Sequence, residues 1–109
     1  MNSFTKARKD RSLARLKANA GEAAAFLLLL ANDKRLLILC ELMMSGETSV
    51  GALADSVDLS QSALSQHLAK LRADGLVETR RESQTIYYRV SRDKRVGRTL
   101  ALLKQLFCK

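Results

Sequence analysis

The spacing of the apolar residues changes twice along this chain of 109 residues, and these changes limit the folds open to it. As far as Gly75 the apolar residues recur at the spacing of amphipathic helices. In TIYYRV, residues 85–90, they alternate with polar residues as in a half-buried strand, and over 92–108 helical spacing returns. LVETRR, residues 76–81, can pair with TIYYRV across a short turn at ESQ. The pattern predicts several helices, one hairpin and a last helix.

The N-terminal part of the chain is predicted to have two segments. Residues 1–21 contain six lysines and arginines against one aspartate, and Gly21 is expected to interrupt a helix there. We therefore expect a basic, partly ordered arm. The segment over 22–31 is predicted to be a helix that is apolar nearly all round and hence buried. It would begin a single domain over 22–109.

Capping residues set the starts of the next three helices. Asn32 or Asp33 can cap a helix that begins near residue 34. Thr48 or Ser49 can cap a short third helix, VGALADSV, and Ser60 can cap a fourth, QSALSQHLAKLRAD. Two short helices joined by a tight link are typical of a helix-turn-helix.

Charge and hydropathy indicate the kind of partner and the compartment. The net charge is +8, from 19 Lys and Arg against 11 Asp and Glu, which favours a polyanion such as nucleic acid over a merely solvated basic surface. The longest apolar run, AAAFLLLLA, is far shorter than the roughly 20 residues of a membrane span. The N-terminus also lacks the apolar core of a signal peptide. We expect a cytoplasmic protein that does not bind a membrane.

The fourth helix has the surface expected of a helix that enters a DNA major groove. Its inward side is apolar, whereas its outward side carries short polar residues and a glutamine that can bond adenine through two hydrogen bonds. Its N-terminus suits a phosphate because free N–H groups point outward there. An ordinary amphipathic helix would show the same pattern. The predicted DNA-contacting residues of this helix are Ser60, Gln61, Ser62, Ser65, Gln66, His67 and Lys70.

The hairpin that follows favours the DNA-binding interpretation. Arg80, Arg81 and Gln84 lie on or beside it, and a basic ribbon after a helix-turn-helix can follow the DNA backbone or enter the minor groove. The predicted fold is therefore mainly α with a small β-hairpin, a winged helix-turn-helix in the order α-α-α-α-β-β-α. The predicted function is DNA binding by a chain that is not an enzyme and needs no cofactor.

The segment SQSALSQHLAKLRADGLV together with QTIYYRV resembles the arsenic-repressor (ArsR/SmtB) winged-helix family, and the resemblance extends over about residues 22–108. It implies a homodimeric bacterial repressor whose first and last helices form the dimer interface. It also implies binding to an inverted repeat in double-stranded DNA and release by an inducer.

Metal sensing is common in that family, but this chain has few residues that could ligate a metal at the family's sites. The thiolate site of the family needs a Cys-x-Cys pair where this chain has Ser49 and Gly51, and its other site needs His and carboxylates along the last helix. Residues 92–108 contain no His, no Glu and one Asp, whereas zinc needs three or four ligands. We predict no metal site, although two thiols alone could still hold a soft ion such as Cu(I).

The two cysteines admit two interpretations. Cys40 lies in LLILCELMM among apolar neighbours and is locally a small buried hydrophobe, whereas Cys108 is the penultimate residue and is expected to be exposed. The resemblance extends to a subgroup, the persulfide-responsive repressors SqrR and BigR, which carry cysteines at these two places. That subgroup implies that a disulfide or polysulfide bridge between Cys40 and Cys108 releases DNA in response to a reactive sulfur species or an oxidant. The alternatives are a metal-responsive or ligand-independent regulator whose cysteines sense nothing.

Overall fold

The computed structural model describes the backbone of residues 3–108 and the side chains of residues 11–108. Lys6, Arg8 and Lys9 of the predicted basic arm therefore have side chains outside the described residues. The chain divides into two compact units, Met1–Ala31 and Asn32–Lys109. Among the described residues, no helix is both long enough and apolar enough to cross a bilayer.

The first unit is formed by one helix, α1 (Ser3–Leu30), and it corrects two predictions. Gly21 does not interrupt the helix, because a single glycine costs only about 1 kcal/mol relative to alanine and strong helix formers surround it. The apolar segment over 22–31 is also not buried throughout in the single chain. Leu27 and Leu28 are 58% and 74% exposed, so α1 presents apolar surface to solvent. The predicted functional boundary between residues 21 and 22 stays a prediction.

The second unit contains four helices and three short strands, which confirms the predicted winged helix-turn-helix fold among the described residues. Its order differs from the predicted one only by a short additional strand before the third helix. The elements are α2 (Asp33–Ser45), β1 (Thr48–Ser49), α3 (Val50–Val57), α4 (Gln61–Ala73), β2 (Val77–Glu82), β3 (Thr85–Val90) and α5 (Lys94–Phe107).

Side-chain caps begin each helix of the second unit, and three of these caps are residues that the sequence predicts. Asn32 accepts a hydrogen bond from the backbone N–H of Arg35, Ser49 from that of Ala52, and Ser60 from that of Ala63. The link between α3 and α4 is tight because Asp58 takes the left-handed conformation, with φ 55°. After α4, Gly75 has φ +78°, which only glycine adopts without strain.

The three strands form an antiparallel sheet in the order β1-β3-β2. Val77 pairs with Val90 and Glu82 with Thr85, so the hairpin turn consists of Ser83 and Gln84 alone and is shorter than the predicted ESQ turn. Strand β1 was not predicted. It consists of two residues that pair with β3 and thereby join the start of α3 to the hairpin.

The core of the second unit is formed by aliphatic side chains from α2, α3, α4, β2 and α5. Leu64, Leu68 and Leu71 of α4 are fully buried, as expected for the apolar inward side predicted for this helix. The other buried members are Ile38, Leu39, Leu42, Leu53, Ala54, Val57, Leu76, Val77, Val96 and Leu100. Burial of these side chains is the main stabilising term for the unit.

A charged pair at the edge of this core joins α2 to the end of α4. Arg35 is nearly buried, and its Nη1 lies 3.6 Å from Oδ2 of Asp74, the residue that ends α4. The side chain of Asp74 is 28% exposed, so water screens part of this interaction. The pair nevertheless gives a largely desolvated guanidinium a carboxylate partner and fixes the C-terminal end of α4 against α2.

We predict that Asp74→Ala lowers the free energy of unfolding by about 1–2 kcal/mol, because it removes a partner from a nearly buried charge. Urea unfolding monitored by circular dichroism would measure the change. Asp55→Ala, at an exposed position on α3, is the matched control and is expected to change stability by less than about 0.5 kcal/mol. Equal effects of the two substitutions would contradict the role given to the pair.

Candidate DNA-binding surface and thiol groove

The outward face of α4 is exposed, as a helix that reads DNA requires. Gln61, Ser62, Ser65, Gln66 and Lys70 are all exposed at this face, whereas His67 is half-buried beside Leu64 and Leu68 in the sequence. The hydroxyl of Ser60 is occupied as the helix cap, at 3.1 Å from the backbone nitrogen of Ala63. The exposed face can therefore offer hydrogen-bonding groups to base edges, and the N-terminal turn can offer N–H groups to a phosphate.

The hairpin formed by β2 and β3, called here the wing, divides its side chains between two faces. Cross-strand partners lie on the same face, so Arg80 shares a face with Tyr87, and Arg81 shares the other with Ile86. Ser83 and Gln84 form the exposed tip of the wing, and Ser83 has a left-handed φ of 55°. The two predicted wing arginines thus project in opposite directions although they are adjacent in sequence.

Arg80 is held by carboxylates of the protein itself. Its Nη2 and Nε donate to Oε1 of Glu47 at 2.6 and 2.9 Å, and its Nη1 donates to Oε2 of Glu82 at 2.9 Å. Its guanidinium also lies over the ring of Tyr87, 5.0 Å from the centroid. The hydrogen bonds with Glu47 and then Glu82 raise the pKa of Arg80, and the hydrogen bond from Arg80 lowers the pKa of Glu47. Arg80 is thus largely neutralised and joins the wing to the segment before β1.

Arg81 has a different environment. It is exposed, and within residues 11–108 its side chain has no ion pair or hydrogen bond. Among the predicted wing residues Arg81 and Gln84 are therefore the ones whose polar groups are available to an external partner. A free guanidinium at the edge of a two-stranded ribbon is suited to a phosphate or to a narrow minor groove.

The base of the wing is fixed by Glu78. Its Oε1 accepts a hydrogen bond from Nη2 of Arg89 at 2.9 Å, and its Oε2 accepts one from the backbone N–H of Arg92 at 2.8 Å. The hydrogen bond from Arg92 is the main cause of the lowered pKa of Glu78, and Arg89 contributes further. One carboxylate thus joins both strands of the wing to the segment that leads into α5.

Both cysteines line one apolar groove between α2 and the end of α5. Its volume is about 410 Å³, and its lining consists of Leu36, Leu37, Cys40, Leu103, Phe107 and Cys108. Both cysteines are free thiols that stand apart in this groove without a bond between them. Cys40 is half-buried rather than fully buried, which corrects the local prediction, and Cys108 is exposed as predicted.

The two thiols differ in ionisation and access. Partial burial raises the pKa of Cys40, and the negative charge of an ionised Cys108 raises it further. Cys108 lies just after the last residue of α5, where its backbone N–H bonds to the carbonyl of Lys104. Cys108 is accordingly the accessible thiol, and Cys40 is the shielded one.

Metal ligands are not clustered in the part of the chain that the structure describes. No three His, Cys, Asp or Glu residues among the described residues stand close enough to hold an ion. At the two positions where the resembled family carries a cysteine pair, Ser49 caps α3 through its hydroxyl and Gly51 faces the side-chain amide of Gln61. Neither position offers a thiolate.

Comparison with known proteins places the chain. The model of the bacterial regulatory protein arsR family matches residues 32–79, from the cap of α2 into β2. The transcriptional activator HlyU of Vibrio cholerae is 46% identical over 97 residues, which is 89% of this chain and 88% of HlyU. The chain belongs to the arsR family. It is a DNA-binding transcriptional regulator, and the matched residues 32–79 include both α3 and α4.

Solved structures of arsR-family proteins have the same fold. Reduced HlyU from Vibrio cholerae superposes with a TM-score of 0.77 at 47% identity, covering 87% of this chain and 98% of that one. The transcriptional repressor BigR from Xylella fastidiosa gives a TM-score of 0.78 at 37% identity, covering 87% and 92%. Family membership and the winged-helix fold are therefore both confirmed.

Arg81→Ala is expected to weaken binding to any duplex and to reduce the slope of log K against log salt by about 1, because one phosphate contact is lost. Arg80→Ala is the matched comparison and is expected to have a smaller effect, since Glu47 and Glu82 already neutralise Arg80. Fluorescence anisotropy at several salt concentrations measures both. A larger loss for Arg80→Ala would contradict the assignment.

The two thiols are expected to differ in their rates of alkylation. Iodoacetamide is expected to alkylate Cys108 several times faster than Cys40 at neutral pH, because Cys40 is shielded and its raised pKa leaves less thiolate. Raising the pH should narrow the difference as Cys40 ionises. Timed quenching followed by peptide mass spectrometry measures both rates. Faster alkylation of Cys40 would show that the groove is more open than the structure indicates.

Proposed function

We propose that this regulator is a homodimeric repressor that binds an inverted repeat and leaves it when Cys40 and Cys108 become joined by a disulfide or polysulfide bridge. The observation that carries the proposal is that the two thiols, 68 positions apart in sequence, line the same groove. In this proposal one bridge forms in each chain and the reaction does not turn over, so the protein is not an enzyme. Two relatives support the proposal. BigR is a transcriptional repressor, and one of the HlyU structures is that of the reduced protein.

The position of Cys108 supports formation of the bridge. Cys108 follows the last helical residue, Phe107, so its sulfur can approach Cys40 by a change in the chain end without disturbing the buried residues of α5. A bridge that contains additional sulfur atoms spans a longer gap, since each S–S bond adds about 2 Å. A bridge of either kind therefore requires the chain end to move toward Cys40.

A persulfide supplies both the sulfur and the oxidising equivalents. The Cys108 thiolate attacks the outer sulfur of R–S–SH and releases RS⁻, and the Cys40 thiolate then attacks the Cys108 sulfur and releases HS⁻. The net change is two thiols plus RSSH giving one disulfide, RSH and H₂S. With a second RSSH the product is a trisulfide, a second RSH and H₂S. Cys108 reacts first because it is exposed, and Cys40 closes the bridge.

The bridge would act on DNA binding through α2. Helix α2 carries Cys40, contacts α5, α3 and β3, and pairs through Arg35 with Asp74 at the end of α4. A bridge that fixes α5 against α2 therefore strains the contacts through which α2 holds α4 in place. In a dimer held by α1 and α5, it also changes the separation of the two α4 helices. Two half-sites about one helical turn apart tolerate little change in that separation.

The dimer is proposed from exposed apolar surface. Leu13, Leu16, Leu27 and Leu28 of α1 are 49–74% exposed in the single chain. On α5, Leu102 and Leu106 are likewise exposed. Large apolar side chains that a helix exposes in numbers often mark an interaction site. A second copy of the chain is the partner proposed for both helices.

The decisive experiment pairs intact mass with DNA affinity on the same samples. After treatment with a persulfide, the wild-type chain should show a Cys40–Cys108 bridge by mass. It should also bind its operator about 5- to 150-fold more weakly, the usual range of coupling between sites. Cys40→Ser and Cys108→Ser are matched controls and should keep their affinity after the same treatment.

Two outcomes would overturn this function. A bridge that leaves affinity unchanged would indicate a ligand-independent DNA-binding protein whose cysteines are idle. Loss of affinity in the Cys40→Ser variant to the same extent as in the wild type would show that the bridge is not the cause. Addition of Cu(I) or Zn(II) in place of the persulfide tests the metal-responsive alternative with the same readout.

A further inference from the structure

The groove that contains the two thiols is lined almost entirely by apolar side chains, although reaction between two thiols does not need an apolar lining. Four of its six lining residues are Leu36, Leu37, Leu103 and Phe107, and the other two are the cysteines. Among the residues that the structure describes, none that lines the groove carries a charge or an amide. This is unusual on a chain with a net charge of +8, and it leaves no partner for a charged or zwitterionic ligand.

The size of the groove fits a small molecule. A volume of about 410 Å³ lies within the range of small-molecule pockets, roughly 300–1,000 Å³. Phe107 is 78% exposed and Leu37 is 46% exposed, so the rim of the groove is apolar and open to solvent in the single chain. Burial of one methylene group changes an equilibrium by about fourfold in favour of the bound state. A ligand with short alkyl chains would therefore gain affinity from every lining residue.

We propose that this groove binds neutral alkyl polysulfides and persulfides before they react, so that apolar sulfur carriers are preferred over charged ones of equal intrinsic reactivity. The proposal rests on the proposed function, because it names the class of inducer that closes the bridge. The alkyl group lies against Leu37, Leu103 and Phe107, and the sulfur chain lies between the two thiols. Because binding precedes chemistry, the rate of bridge formation saturates with concentration for an apolar carrier.

The reaction with a dialkyl trisulfide, R–S–S–S–R, illustrates the step. The Cys108 thiolate attacks an outer sulfur of the trisulfide and displaces the perthiolate RSS⁻. The attacked sulfur keeps its alkyl group and stays on the protein as the mixed disulfide Cys108–S–S–R. The R group is then held in the groove next to Cys40. The Cys40 thiolate attacks the Cys108 sulfur and releases RS⁻, and the two protons lost by the cysteines appear on RSH and RSSH. Two thiols are oxidised to one disulfide, and one S–S bond of the trisulfide is reduced.

The test measures the rate of bridge formation with dimethyl, diethyl and dipropyl trisulfide and with the trisulfide of glutathione. Rates are divided by those of free glutathione thiolate with the same reagents, which removes differences in intrinsic reactivity. We expect the normalised rate to rise about two- to fourfold for each added methylene per chain, and to saturate with concentration for the dipropyl compound. The glutathione trisulfide should react in a strictly linear manner.

Phe107→Ser tests the wall of the groove, and Gln105→Ser is the control. Both residues are exposed on α5, but only Phe107 lines the groove. Phe107→Ser should reduce the gain per methylene to less than half of the wild-type value and leave the rate with glutathione trisulfide unchanged. Gln105→Ser should retain the wild-type gain. Sizing of each variant shows whether its assembly state is preserved, and a Leu37→Ser variant tests the part of the groove that α2 provides.

The possible results distinguish failure of the ligand site from failure of the proposed switch. Normalised rates that do not depend on chain length, or that depend on it equally in Phe107→Ser, overturn the groove as a ligand site. That result would also be expected if a second copy of the chain covered the groove. If the rates follow chain length but the bridged protein still binds DNA, the ligand site stands and the switch fails. If the rates are flat but bridging releases DNA, the switch stands and the ligand site fails.

Discussion

The contact between α2 and α5 is the interaction on which the account of this regulator depends. Helix α2 buries Ile38, Leu39 and Leu42 in the core and presents Cys40 to a groove that the end of α5 closes. The same helix contacts α3 and β3, which support the DNA-binding surface. In the proposed mechanism, a change in how α5 lies against α2 alters both the thiol groove and the support of the predicted DNA-binding surface. In closely packed structures, such a change passes between discrete arrangements rather than fading with distance.

The charges of the wing show why counting basic residues is not enough to assign DNA contacts. Arg80 and Arg81 are neighbours in sequence, yet one is held by Glu47 and Glu82 and the other is open to solvent. The positive field of the domain attracts DNA as a whole, but contacts to phosphates depend on side chains that are not already paired. In this chain the internal pairs fix the shape of the wing, and the unpaired arginine is available for binding.

Prediction from sequence succeeded where the determining interaction is local. Asn32, Ser49 and Ser60 act as caps because the hydrogen bond of each cap lies within three residues of it. The alternation in TIYYRV likewise located β3. The low helix propensity of Gly21 predicts an interruption, but the strong helix formers on both sides of it keep α1 continuous.

The remaining features depend on residues distant in the chain, and the sequence carries no local sign of them. Strand β1 exists because two residues pair with Tyr87 and Tyr88 of β3. The pairing of Arg80 with Glu47 spans 33 positions, and Cys40 and Cys108 line one groove although they are far apart in the sequence. The pattern around Cys40 indicated a buried residue because neighbours on the same helix do not reveal a groove on its outer side.

The most direct test is the distance between the two α4 helices in the proposed dimer, before and after the bridge forms. A spin label on a non-cysteine unnatural residue in place of the exposed Arg72 leaves both native thiols intact. Pulsed electron resonance then gives the distance distribution. For the reduced protein we predict a narrow distribution compatible with half-sites about 34 Å apart, and for the bridged protein a shifted or broadened one. Identical distributions for the two forms would contradict the coupling of the thiol groove to the DNA-binding surface.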